Sequence, residues 1–256
     1  MLIAVTSGKA GTVGSGIEPG TSWREVFRAS EDLLTASAFG RLTYLEGPVL
    51  WQILRRAIGS TLPDYKVVEL ISADFWPRLA EADDSGYTVE PDVILRFEVG
   101  DPTVRIDFIV EAKLGTGASQ YAEQWRRQWT AFQKLRTEEG DAATSVYLLA
   151  LGGLGTKKAL TVERIVSDLG STGTPLDVVA ATWGEIADAV HQQLEISVRS
   201  SERRVLNDVI GALALANYRH VDLLRDLHSA RRFNQSAIDE ISAYDFQGNQ
   251  CLAKII

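Results

Sequence analysis

Apolar positions along the chain fall into two rhythms. From Ser22 to Leu45 they recur at helical spacing, with Val26, Leu33, Leu34, Phe39, Leu42 and Leu45 as anchors. Ser22, with Glu25 three places later, is a capping box, so a helix is expected to start there and continue through "TSWREVFRASEDLLTASAFGRLTYL". "PVLWQILRRAIG" predicts a second helix, with Pro48 in its first turn and Gly59 at its end. "YKVVELISADFW" is rich in β-branched residues and reads as a strand, and "EADDSGY" as a loop. A hairpin over 90–113 follows, then the loop "LGTGAS" and a helix over 120–136. Beyond these come a buried strand at "SVYLLAL", a turn at "GGLGTKK" and a helix at "LTVERIVSDL". The pattern continues with a strand at "PLDVVAATW" and a helix at "GEIADAVHQQLEI". From about Ser200 onward the chain reads as helical and polar. Strands alternating with helices predict an α/β fold, a central sheet layered with helices. Residues 1–21, rich in Gly, Ser and Thr, form a separate N-terminal segment in this reading; 22–195 are the core and 196–256 a helical C-terminal segment.

The stretch "EPDVILRFEVGDPTVRIDFIVEAK" carries its own register. "GDPT" has turn chemistry throughout and makes a four-residue loop, which sets Val99 opposite Val104. Arg96 then falls opposite Asp107 and Glu98 opposite Arg105, both pairs of opposite charge. On the other face Val93 meets Val110, Leu95 meets Phe108 and Phe97 meets Ile106. A slip by one residue would destroy this agreement. Carried to the open end, the same register sets Asp92 across from Glu111, with Cβ atoms about 4.5–5.5 Å apart. Lys113 lies on the same face, two residues beyond Glu111. Two acids and an ammonium therefore converge at one end of the hairpin. A divalent cation relieves the repulsion of such an acid pair, and Mg²⁺ prefers oxygen ligands. The bland alternative is a salt bridge between Lys113 and the two acids at a strand end.

Pro91–Asp92 followed by Glu111–Ala112–Lys113 at the end of the next strand resembles the PD-(D/E)XK nuclease superfamily. The resemblance covers roughly residues 22–195 and implies a restriction-endonuclease-like fold, a mixed central β-sheet flanked by helices. It implies Mg²⁺-dependent phosphodiester hydrolysis, with Mn²⁺ able to substitute, most often of DNA, in phage defence, restriction or repair. Asp92 and Glu111 would then hold the metal, with the Ala112 carbonyl as a further ligand, and Lys113 would position the attacking water. A helix before the hairpin often offers a glutamate in that superfamily; Glu31 is the match here and Asp32 its rival. The helix after the lysine often brings a glutamine; Gln120, Gln124 and Gln128 share one helical stripe, and Gln124 is favoured to steady Lys113 or a phosphate. Arg126 and Arg127 are candidates for a local nucleic-acid-binding rim. Tyr121, Trp125, Trp129 and Phe132 read as the packed side of that helix. The cysteine cluster that some members use for an iron–sulfur cofactor is missing, as are a helicase domain and an evident target-recognition domain.

Bulk properties narrow the reading. A net charge of −8 argues against a protein that coats nucleic acid by charge alone and leaves room for an enzyme that touches it locally. The 45% hydrophobic and 23% charged fractions are ordinary for a globular protein and do not suggest a disordered chain. No apolar run is long enough to cross a bilayer, and the first residues make a poor signal peptide. The single cysteine, Cys251, cannot form an intrachain disulfide, which suits a reducing cytoplasm. "IAVTSGKAGTVGSG" lacks the second P-loop lysine and a following helix start, so a nucleotide-binding regulator is a weak rival. His191, His220 and His228 lack zinc-ligand spacing, and no GxSxG elbow is present. Cutting both strands of a duplex needs two sites, which suggests a homodimer or a partner in a defence or repair complex. The rival of a different class is a catalytically inactive nuclease-fold module that binds or assembles with other proteins.

Overall fold

The computed structural model describes residues 20–59, 61–81, 86–115, 119–140, 145–170 and 176–220. The glycine-rich segment up to residue 19, most of the "EADDSGY" loop, His228 and Cys251 lie outside the described residues. The predicted α/β architecture is present: a mixed five-stranded sheet flanked by helices, with a helical C-terminal part.

Three helices come first: α1 (Trp23–Ala29), α2 (Glu31–Leu42) and α3 (Gly47–Ile58). The capping box at Ser22 and Glu25 forms as expected. The single helix expected from Trp23 to Leu45 is instead two. Ser30 adopts an extended conformation (φ −109°, ψ 116°), and its hydroxyl caps α2 by accepting from Leu33 N. The serine side chain competes for the backbone and restarts the helix, which places Glu31 in a first turn. Pro48 opens α3 and Gly59 closes it with φ 97°, a conformation glycine adopts without strain.

The strands are β1 (Val68–Phe75), β2 (Leu79–Ala80), β3 (Thr88–Val89), β4 (Val93–Val99), β5 (Val104–Ala112), β6 (Ser145–Leu151) and β7 (Asp177–Ala181). The sheet order is β1-β4-β5-β6-β7, antiparallel from β1 to β5 and parallel from β5 to β7. The β4–β5 register agrees pair for pair with the expected one, from Val93 opposite Val110 to Val99 opposite Val104. The two-residue strands β2 and β3 pair as a separate small hairpin that was not foreseen. The remaining helices are α4 (Ala122–Glu138), α5 (Lys158–Gly170), α6 (Trp183–Ile196) and α7 (Ser200–Leu215).

Alternation along β4 and β5 sorts the sheet into two faces. Leu95, Phe97, Phe108 and Val110 enter a core with α2, α3, α6 and α7. Trp51 stands at its centre, edge-on to Phe97 at 5.4 Å and Phe108 at 5.9 Å, with its Nε1 donating to Pro63 O at 3.0 Å. Ile94, Ile109 and Phe132 form a second core beneath α4, and Trp125, Leu148 and Ile165 a third between α4, α5 and the sheet. Helix α7 lies in the same compact unit, which extends to His220. Among the described residues no helix is long and apolar enough to cross a membrane.

Arg96 and Asp107 are cross-strand neighbours, but the Arg96 guanidinium pairs with Glu139 at 3.0 Å, and Asp107 pairs with Arg136 at 3.7 Å. Helix α4 covers this face and supplies nearer partners. Glu98 and Arg105 do pair, at 3.7 Å.

At the ends of the parallel strands, Gly152 follows β6 with φ 71°, and its N–H donates to Ala181 O at 2.8 Å. A Cβ there would stand 2.3 Å from the Lys113 carbonyl oxygen and 3.2 Å from the Trp183 ring. Gly152→Ala combines a disfavoured φ with a backbone clash. It is expected to destabilise the protein by roughly 2–3 kcal/mol in chemical denaturation.

Candidate functional site

The site lies where β5 ends. Glu111 is 1% exposed, on the face of β5 covered by α4. A carboxylate so far from water requires donors, and it has three. Glu111 Oε1 accepts from the Lys113 ammonium and from Gln124 Nε2 at 2.6 Å, while Oε2 accepts from Gln128 Nε2 at 2.6 Å. The glutamine stripe divides by depth along α4. Gln120 is structural: its Nε2 donates to the carbonyls of Glu111 and Gly152, and its Oε1 accepts from Trp125 Nε1. Gln124 reaches the cluster, where it holds Glu111 instead of Lys113. Gln128, 1% exposed, holds the same carboxylate, a role the stripe allowed without singling out.

Asp92 precedes β4 and is 8% exposed. Its Oδ2 accepts from Ala112 N at 2.7 Å, and its Oδ1 has no hydrogen-bond partner among the described residues. Burial, and then the charge of Glu111, push the Asp92 carboxyl up to about 7, against the pull of the Ala112 N–H and Lys113.

Glu31 comes from the opposite helical layer. Its Oε1 accepts from Lys113 Nζ at 3.3 Å and its Oε2 from Leu114 N at 2.6 Å. The start of α2 selects Glu31 over Asp32. Lys113 Nζ also donates to Ala112 O at 3.0 Å, so the ammonium touches Glu31, Glu111 and the Ala112 carbonyl together. Burial disfavours its charge, but Glu111 and Glu31 outweigh that and raise the Lys113 pKa above its ordinary value. Among the described residues no three His, Cys, Asp or Glu side chains stand in metal-holding geometry; the ammonium sits among the acids.

Of the arginines of the expected rim on α4, Arg127 is exposed and Arg126 half-buried, each with an acidic partner: Arg126 with Glu123, and Arg127 with Glu81. A cleft of about 460 Å³ lies between β3 and α4, and Gln124, Arg127 and Gln128 line it. The amides that hold Glu111 thus also wall an open space. Trp125 and Phe132 are core residues as expected, whereas Tyr121 is 62% exposed. His191 and His220 pack ring on ring at 4.9 Å, in keeping with a packing role.

Two residues escaped the sequence reading. Trp183 Nε1 donates to Lys113 O at 3.2 Å, and the Tyr218 hydroxyl accepts from Gly115 N at 3.1 Å. The capping box of Thr182 and Glu185 was a usable signal that Trp183 opens a helix beside the strand ends.

Comparison with known proteins finds an uncharacterised protein of Pasteurella multocida (strain Pm70), 25% identical over 219 residues, covering 82% of this chain and 77% of that protein. No family model matches the chain, and no solved structure matches it.

The raised Asp92 pKa has a signed consequence. The folded state holds a proton that the unfolded state releases near pH 4, so this contribution is full below pH 4 and is lost as pH rises through about 7. Relative to Asp92→Asn, the wild type should lose stability between pH 4 and pH 8 by at most about 4 kcal/mol. Urea denaturation of both proteins across that range measures the difference. Parallel curves would show that Asp92 titrates normally.

Proposed function

We propose that this protein is a divalent-cation-dependent nuclease that hydrolyses phosphodiester bonds, most readily of DNA. The observation that supports it best is the meeting of Glu31, Asp92, Glu111 and Lys113 at one sheet end, with Glu111 aimed by two glutamines. The donor set consists of carboxylate oxygens and one backbone carbonyl, and the buried Asp92 keeps one oxygen without a protein partner among the described residues. Oxygen donors are the kind Mg²⁺ takes, and an ion here would displace the Lys113 ammonium, which now touches Glu31, Glu111 and the Ala112 carbonyl. Asp92, Glu111 and the Ala112 carbonyl would hold the ion, with Glu31 completing the acidic set. A cation there supplies water activation and stabilises charge on a phosphate.

The chain's own groups do the rest. Gln124 and Gln128 keep the Glu111 carboxylate in one orientation. Lys113, hydrogen-bonded to Glu111 and Glu31, would orient a water or face the developing negative charge. The cleft beside Gln124 and Gln128 is the approach for a strand, and Arg127 contacts phosphate after release from Glu81.

Calorimetric titration of Mg²⁺ and Mn²⁺ into wild type and Glu111→Ala, with plasmid cleavage alongside, tests the reading. Binding and cleavage should both vanish in the variant. Lys113→Met, which keeps the aliphatic stem, should bind the ion and cleave at least about 10²-fold more slowly. An unimpaired Lys113→Met would remove the lysine from the chemistry. If wild type neither binds the ions nor cleaves, the cluster is a buried salt bridge and the inactive assembly module takes precedence.

A further inference from the structure

Three contacts grip the chain just after β5. Trp183 holds the Lys113 carbonyl at 3.2 Å, Glu31 holds the Leu114 N–H at 2.6 Å, and the Tyr218 hydroxyl holds the Gly115 N–H at 3.1 Å. They come from α6, from α2 and from the turn after α7. Tyr218 is aimed by the way α7 ends. Asn217 takes a left-handed conformation (φ 67°), its N–H donates to Ala214 O at 3.2 Å, and the Tyr218 N–H donates to Leu213 O at 2.8 Å. This is a Schellman ending, with asparagine at the left-handed position and Tyr218 directly after it. The Tyr218 ring then leans on Trp183, centroids 6.3 Å apart. A phenylalanine would serve that ring contact equally well; the hydroxyl adds the bond to Gly115.

We propose that Tyr218 is a positioning residue for the reactive end of β5. By holding Gly115 it keeps the Leu114 N–H on Glu31, and so fixes Glu31 and Lys113 with respect to Glu111. The C-terminal helix α7 is in this way part of the site. The inference rests on the nuclease reading for its effect on rate, and on the geometry alone for its effect on the backbone.

Tyr218→Phe separates the two. Hydrogen exchange followed by mass spectrometry should show the peptide spanning 112–115 exchanging about fivefold to tenfold faster, with other peptides and the thermal midpoint unchanged. In the Mg²⁺-dependent plasmid assay, kcat should fall by a similar factor with KM unchanged. Unaltered exchange overturns the proposal. So does faster exchange with an unaltered kcat, because the held backbone would then have no bearing on chemistry. If the wild type cleaves nothing, the nuclease reading falls, and the exchange result alone decides whether Tyr218 holds this backbone.

Discussion

The arrangement depends on keeping a carboxylate at Glu111 out of water. An ionised acid at 1% exposure is tolerable only when strong donors replace its hydration, and three side chains do so: the Lys113 ammonium and the amides of Gln124 and Gln128. This requirement explains α4. Its outward positions carry arginines and glutamates, yet Gln128 is fully covered because it serves the acid beneath it. The same requirement ties Glu31 to the site. One lysine shared between two acids, with Leu114 N on the second, joins a helix of one layer to a strand end that faces the other.

Asp92 is what remains after that balance. Lys113 is engaged with Glu31 and Glu111, the glutamines with Glu111, and Asp92 receives only the Ala112 N–H. Its raised pKa follows from burial beside a charge that has already claimed the nearby donors. A structural ion-pair cluster gains nothing from a surplus acid, since removing one carboxylate would relieve it. A site that recruits positive charge does gain, which is why the surplus acid weighs toward the nuclease reading.

Surface electrostatics favour a local encounter over a broad one. With a net charge of −8, and with Arg126 and Arg127 each engaged by a glutamate, α4 offers phosphate no ready-made cationic stripe. On the proposed reading, a strand entering the cleft would exchange with Glu81 for Arg127. Affinity in this picture comes chiefly from the strand-end site.

Much of this was legible in the primary structure, and the boundary of legibility is physical. The β4–β5 register, the cap at Ser22 and the proline start of α3 all depend on neighbours a few residues apart or on the two-residue period of a strand. Contacts of that kind are set by local geometry. The glutamine stripe was legible as a stripe. Which of Gln120, Gln124 and Gln128 reaches the acid was not, because that depends on how far α4 sits along the axis of β5, and packing against the sheet sets that distance. Asp107 shows the same limit: register named Arg96 as its neighbour, and α4 brought Arg136 from a place no pattern could specify. The approach of Trp183 and Tyr218 to the chain after Lys113 likewise belongs to tertiary structure. Sequence determined which groups share a face; the docking of the helical layers determined which of them touch, because touching depends on ångström offsets between elements far apart in the chain.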